Sequence, residues 1–150
     1  MKPSKQPAAP QKLRTKQVMI IDEDPAVRAM IRETLEPLGY RMLAAGLASE
    51  GIKALDEVVI DLVIADAFMA NAFSTGAGTW GIQEVRKRQS STKVLALSGA
   101  WASTVAQTIT SAALRIGAEM VLTKPLNAGE LEEAVLSLIG GPIEIAELSS

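Results

Sequence analysis

The side chains best suited to chemistry stand at or just beyond the ends of short apolar runs. They are Asp22, Glu23 and Asp24 in "VMIIDEDPAVR", Asp66 closing "DLVIAD", Ser98 closing "VLALS", and Lys124 in "VLTKP". Cysteine and histidine are absent from all 150 residues, which excludes disulfides, thiolate or imidazole metal ligands, a cysteine nucleophile and a phosphohistidine carried by this chain. Carboxylates, hydroxyls, lysine and main chain remain. Two carboxylates about 4 Å apart repel by roughly 4 kcal/mol at an effective dielectric of 20. A hard divalent cation relieves that repulsion, and an all-oxygen donor set suits Mg2+ rather than zinc or copper. With a cation and a lysine to neutralise phosphoryl oxygens, a hydroxyl to donate to them and an ionised carboxylate to attack phosphorus, such a set could transfer a phosphoryl group without a general base.

These residues can meet only if the runs that carry them lie side by side. From residue 17 the sequence alternates between short apolar segments and helical periods. "QVMIID", "RMLAA", "DLVIA", "KVLALS" and "EMVLT" read as strands; the first is nearly continuous in apolar residues, as expected when both faces are covered. The helical segments between and after them are "DPAVRAMIRETLEPLGY", "SEGIKAL", "GIQEVRKRQ", "STVAQTITSAALRIG" and "AGELEEAVLSLIG". Asp24 suits an N-cap, Pro25 the first helical position and Gly39 a stop, with Pro37 loosening the last turn. Five strands and five helices in alternation specify an α/β domain with a doubly wound parallel sheet. In the strand order 2-1-3-4-5, ligands bind beyond the carboxyl ends of the strands, between strands 1 and 3. Asp22, Asp66, Ser98 and Lys124 all fall at that edge.

Charge and hydropathy narrow the remaining choices. The net charge of −2 is uneven: Lys2, Lys5, Lys12, Arg14 and Lys16 occur before any acid, leaving about −7 on the rest. Residues 1–16 therefore read as a flexible basic tail, 17–140 as the domain and 141–150 as a C-terminal tail. The acidic body argues against DNA binding, and no apolar run has the roughly 18 to 20 residues needed to cross a bilayer. The expectation is a cytoplasmic protein with neither DNA nor membrane as partner.

Taken singly, the motifs have plainer readings: Asp66 as a turn acid, "DEDP" as helix capping, Ser98 as a turn, "TKP" as a surface loop. Together and in this order, "VMIIDEDPAVR", "DLVIAD", "VLALSG" and "GAEMVLTKP" resemble the receiver domain of bacterial two-component response regulators, over about residues 17–139. The resemblance implies a flavodoxin-like (βα)5 fold that takes a phosphoryl group from a histidine kinase or a histidine phosphotransfer protein onto an aspartate. It implies Asp66 as phosphoacceptor, and Asp22, Glu23, Asp66 and the main-chain carbonyl of Phe68 as Mg2+ ligands. Ser98 would be the switch hydroxyl and Lys124 the phosphoryl partner, preceding a cis Lys124–Pro125 bond. On this reading the chain is a signalling receiver rather than an enzyme. The same reading expects no output domain, with action through a second subunit or a downstream protein.

The sequence also departs from that pattern. Glu23 stands where the family usually has aspartate, Val121 where it has an aromatic ring, and Ala70 where it has proline. The loop after Asp66 is longer, as is the stretch between Ser98 and Lys124. Phe68, Phe73, Trp80 and Trp101 lie in uncharged segments at the strand carboxyl ends, which either pack on each other or form an apolar rim that docks a partner. Two other readings compete. One is a degenerate receiver that binds partners without phosphorylation. The other is a haloacid-dehalogenase-type phosphatase with Asp22 as nucleophile and Asp24 as acid, although its further acidic motif downstream of the lysine is missing.

Overall fold

The computed structural model describes residues 11–67, 80–99, 111, 113–115 and 117–147. Among these residues, seven strands run β1 (Gln11–Thr15), β2 (Gln17–Ile21), β3 (Arg41–Ala45), β4 (Leu62–Asp66), β5 (Lys93–Ser98), β6 (Met120–Thr123) and β7 (Ile143–Glu147). The helices are α1 (Pro25–Leu35), α2 (Ala48–Ala54), α3 (Trp80–Arg88) and α4 (Ala128–Ile139), with a 3-10 turn at Glu36–Leu38. Residues 111 and 113–115 are also helical, within the expected 103–117 helix whose other residues, apart from Gly117, lie outside the description.

Strands β3-β2-β4-β5-β6 form one parallel sheet, which is the expected 2-1-3-4-5 order of the flavodoxin-like fold. The apolar run of β2 is explained by its two faces. Val18 and Ile20 pack with Ile31 and Leu35 of α1 and Leu131 and Val135 of α4, whereas Met19 and Ile21 pack with Ala48 of α2 and Val85 of α3. Alternate residues point to opposite sides, so a strand covered twice can have no polar face. The same division holds in β4, where Leu62 and Ile64 join the first cluster and Val63 the second.

Local signals set the ends of α1. Asp24 accepts a hydrogen bond from the Ala26 N–H at 2.9 Å, Pro25 opens the helix, and the chain tightens into the 3-10 turn at Pro37 before Gly39 at φ +110°. That positive φ is one that glycine adopts without a Cβ penalty.

The tails expected at 1–16 and 141–150 are corrected in part. Strands β1 and β7 pair antiparallel as a ribbon, in register from Gln11 opposite Glu147 to Thr15 opposite Ile143. Arg14 explains why these segments are ordered. Its guanidinium donates to both Asp61 oxygens, at 3.0 and 2.6 Å, and to Glu144 at 3.1 and 2.6 Å, fastening the ribbon to the residue before β4. The Lys16 ammonium donates to the Ile139 carbonyl, and the Tyr40 hydroxyl to the Gly140 carbonyl at 2.5 Å, holding the end of α4 to the start of β2 and β3. These contacts gather at the amino end of the sheet. Among the described residues, no helix is long and apolar enough to cross a membrane.

Two stability predictions follow from this packing. Arg14→Ala removes both guanidinium donors from the largely buried Asp61, leaving it the Gln17 N–H at 2.8 Å, and should cost about 1–3 kcal/mol in urea unfolding. Arg14→Lys should recover only part of the loss, because an ammonium lacks the planar fork. Gly51 of α2 lies against Ile21: an added Cβ would stand 2.7 Å from Cγ1 and closer still to Cδ1. Gly51→Ala gains about 1 kcal/mol of helix propensity but overpacks a core contact, at a cost of about 1–3 kcal/mol. The net should be destabilising, with a smaller penalty in an Ile21→Val background, measured as the change in urea midpoint.

Candidate functional site

Three side chains from separate strand ends converge at the carboxyl edge of the sheet. Asp22 directly follows β2, Asp66 closes β4, and Lys124 follows β6. The Lys124 ammonium donates to Asp22 Oδ2 at 2.8 Å and to Asp66 Oδ2 at 2.7 Å. Asp22 is 1 % exposed and Asp66 15 %, so these carboxylates share a poorly solvated site in which like charges need a cation nearby. Burial alone would pull the lysine down. Its hydrogen bonds to Asp22 and Asp66, together with their charges, outweigh that effect and hold Lys124 above the ordinary lysine value.

Asp22 is constrained on every polar atom. Its N–H donates to the Ala45 carbonyl at 3.1 Å, its Oδ1 accepts from the Asp24 N–H at 2.8 Å, and its carbonyl accepts from Arg28 Nη1 at 2.6 Å. Lys124 is fixed through its main chain as well, donating its N–H to the Ser98 carbonyl at 2.8 Å, and the Lys124–Pro125 bond is cis, as expected. Ser98 is fully buried at the end of β5, opposite Thr123. Its hydroxyl faces the Gly99 carbonyl at 3.5 Å, which is long for a hydrogen bond between oxygens.

The structure therefore unites Asp22, Asp66 and Lys124 and places Ser98 beside the lysine through the main chain. Glu23 is exposed at the start of the loop, next to the pair. Phe68, Ala70, Phe73 and Trp101 lie outside the described residues, and Trp80 opens α3. Val121 is half-buried in β6 opposite Ala96 and packs against the core cluster on the α2–α3 side.

The converging oxygens suit a hard cation. Among the described residues, no three His, Cys, Asp or Glu side chains cluster as metal ligands do. A pair of carboxylates nevertheless fits Mg2+, which keeps several waters and takes further oxygens from a phosphate. Arg28, absent from the sequence-based set, reaches the site by way of the Asp22 carbonyl. The available signal was its place in the first turn of α1, where a cation opposes the helix dipole.

A family model for the response regulator receiver domain matches residues 18–136. No curated protein matches. Among solved structures, a response regulator from Thermotoga maritima is 26 % identical with a TM-score of 0.70, covering 85 % of this chain and 100 % of that one. A response regulator receiver domain protein from Clostridium thermocellum is 26 % identical with a TM-score of 0.70, covering 83 % and 94 %. A response regulator protein from Burkholderia pseudomallei, solved with a phosphorylated aspartic acid, calcium ion and citrate, is 22 % identical with a TM-score of 0.66, covering 83 % and 66 %. With the parallel sheet in its expected order and a family match over four-fifths of its length, this chain belongs to the response regulator receiver domain family.

Proposed function

We propose that Asp66 accepts a phosphoryl group from a phosphohistidine on a histidine kinase or a histidine phosphotransfer protein, and that the chain signals through protein contacts. The observation that carries this reading is the single ammonium, Lys124, bonded to both Asp66 and Asp22 at the carboxyl edge. An oxygen of the ionised Asp66 carboxylate forms the new P–O bond in line as the P–N bond of the phosphoimidazole breaks. The electron pair of that bond stays on the ring nitrogen, and the donor leaves as neutral imidazole, keeping the proton already on its other nitrogen. The lysine, already between the carboxylates, follows the negative charge onto the phosphoryl oxygens. Ser98, whose hydroxyl is only loosely held, donates to one of them.

Mg2+ would be held by Asp22, Asp66 and the Phe68 carbonyl, with Glu23 acting through water, and supplies charge neutralisation for the phosphoryl oxygens. The Burkholderia pseudomallei protein, solved with a phosphorylated aspartic acid and a calcium ion, is a precedent on the same fold for an aspartyl phosphate. The phosphatase reading needs Asp24 as its acid, yet that carboxylate caps α1 through Ala26. On the receiver reading the chain assists only its own phosphorylation and dephosphorylation.

Incubation with Mg2+ and acetyl phosphate should add one phosphoryl mass by intact-protein mass spectrometry, and Asp66→Asn should abolish the adduct. An unchanged adduct in that variant would falsify the assignment. Lys124→Gln, which removes the cation, should slow adduct formation by about 10²-fold.

Lys124 also predicts a pH dependence. Its folded-state value is raised, so its stabilising contribution is fully present below the ordinary lysine value, about 10.4, and is lost as pH rises through the higher folded value. The stability difference between the wild type and Lys124→Met should therefore narrow above about pH 10.4 in urea unfolding.

A further inference from the structure

We infer that Arg28 is a positioning residue for the metal-binding carboxylate of Asp22, and that Gly46 is small in order to leave room for it. This rests on the receiver reading above. Arg28 is half-buried in the first turn of α1, and its own N–H makes the helix's opening bond, to the Asp24 carbonyl at 3.1 Å. A cation there is opposed by the helix dipole, so surface helix stability does not account for its presence. The guanidinium instead reaches back over the end of the sheet, where Nη1 donates to the Asp22 carbonyl at 2.6 Å. It passes against Gly46, the residue after β3, where an added Cβ would stand 3.3 Å from Nη1.

The consequence is geometric. The Asp22 N–H is held by Ala45 at the end of β3, and its carbonyl by Arg28 from α1, so the peptide planes on both sides of its Cα are fixed. With Oδ1 on the Asp24 N–H, the direction of Oδ2 follows. That oxygen is the one that meets Lys124 beside Asp66. Partners of a ligating carboxylate typically change metal affinity by about 10- to 100-fold when removed.

An alternative role for Arg28 makes the opposite prediction. If it served only to balance the charges of Asp22, Glu23 and Asp24, removing a positive charge next to a cation site would tighten metal binding, and more so at low salt. If it positions Asp22, removal weakens binding despite that electrostatic gain.

The experiment is calorimetric titration of Mg2+ into the wild type, Arg28→Ala, Arg28→Lys and Gly46→Ala, with the fold of each checked by urea unfolding. Positioning predicts a dissociation constant raised about 10-fold or more in Arg28→Ala. Arg28→Lys should recover part of this, because a single N–H donor is needed, and Gly46→Ala should show a smaller rise because it displaces the guanidinium by only a few tenths of an ångström. With acetyl phosphate, Arg28→Ala should need more Mg2+ for half-maximal labelling but reach a maximal rate within about twofold of the wild type, a split that general loss of structure does not produce. Unchanged or tighter Mg2+ binding in Arg28→Ala overturns the inference. If Arg28→Ala does not fold, wild-type affinity in both Gly46→Ala and Arg28→Lys overturns it instead. A wild type that binds no Mg2+ defeats the receiver reading first, and this inference falls with it.

Discussion

One ammonium held between two poorly solvated carboxylates is the constraint on which the rest of this molecule turns. Asp22 and Asp66 end adjacent strands, whereas Lys124 follows the edge strand β6, separated from β4 by β5. The lysine stem must therefore cross the end of β5, where Ser98 lies buried. Such a contact survives only if the strand ends are level with one another. Burial on both faces provides this, since a slip by one residue in β2 or β4 would exchange the side chains packed beneath α1 and α4 with those beneath α2 and α3.

The three consecutive acids after β2 show how finely the carboxyl edge is divided. Asp22 turns inward and is buried, Glu23 faces solvent, and Asp24 is committed to the N-terminus of α1. The same peptide that caps the helix through its side chain also serves Asp22 through its N–H. Helix initiation and site geometry thus share atoms, which ties the first turn of α1 to the charge arrangement next to it.

Much of this was legible in the sequence because it rests on local patterns. The two-sided apolar runs identified the central strands, and "DEDP" located the start of α1. The joint placement of Asp22, Asp66, Ser98 and Lys124 at strand ends points to the site from sequence alone. The ribbon was not legible for a physical reason: "QKLRT" has two cations in five residues and reads as a solvated arm, and its partner lies 130 residues away at the Arg14–Glu144 contact. Non-local pairing leaves no local period. Arg28 was hidden in another way, since an arginine on an amphipathic helix ordinarily faces water, and only the approach of β3 and Gly46 reveals its target.

The ribbon also determines how the domain bears load. Gln11 and Glu147 are register partners at its open end, so tension applied to the two ends of the paired segments separates the strands one hydrogen-bonded step at a time rather than shearing them together. Force is thus spent on a peripheral zipper, with the Arg14–Asp61 clasp as its last strong link before the central sheet. The carboxyl edge, at the opposite pole, is mechanically insulated from whatever pulls on these strands.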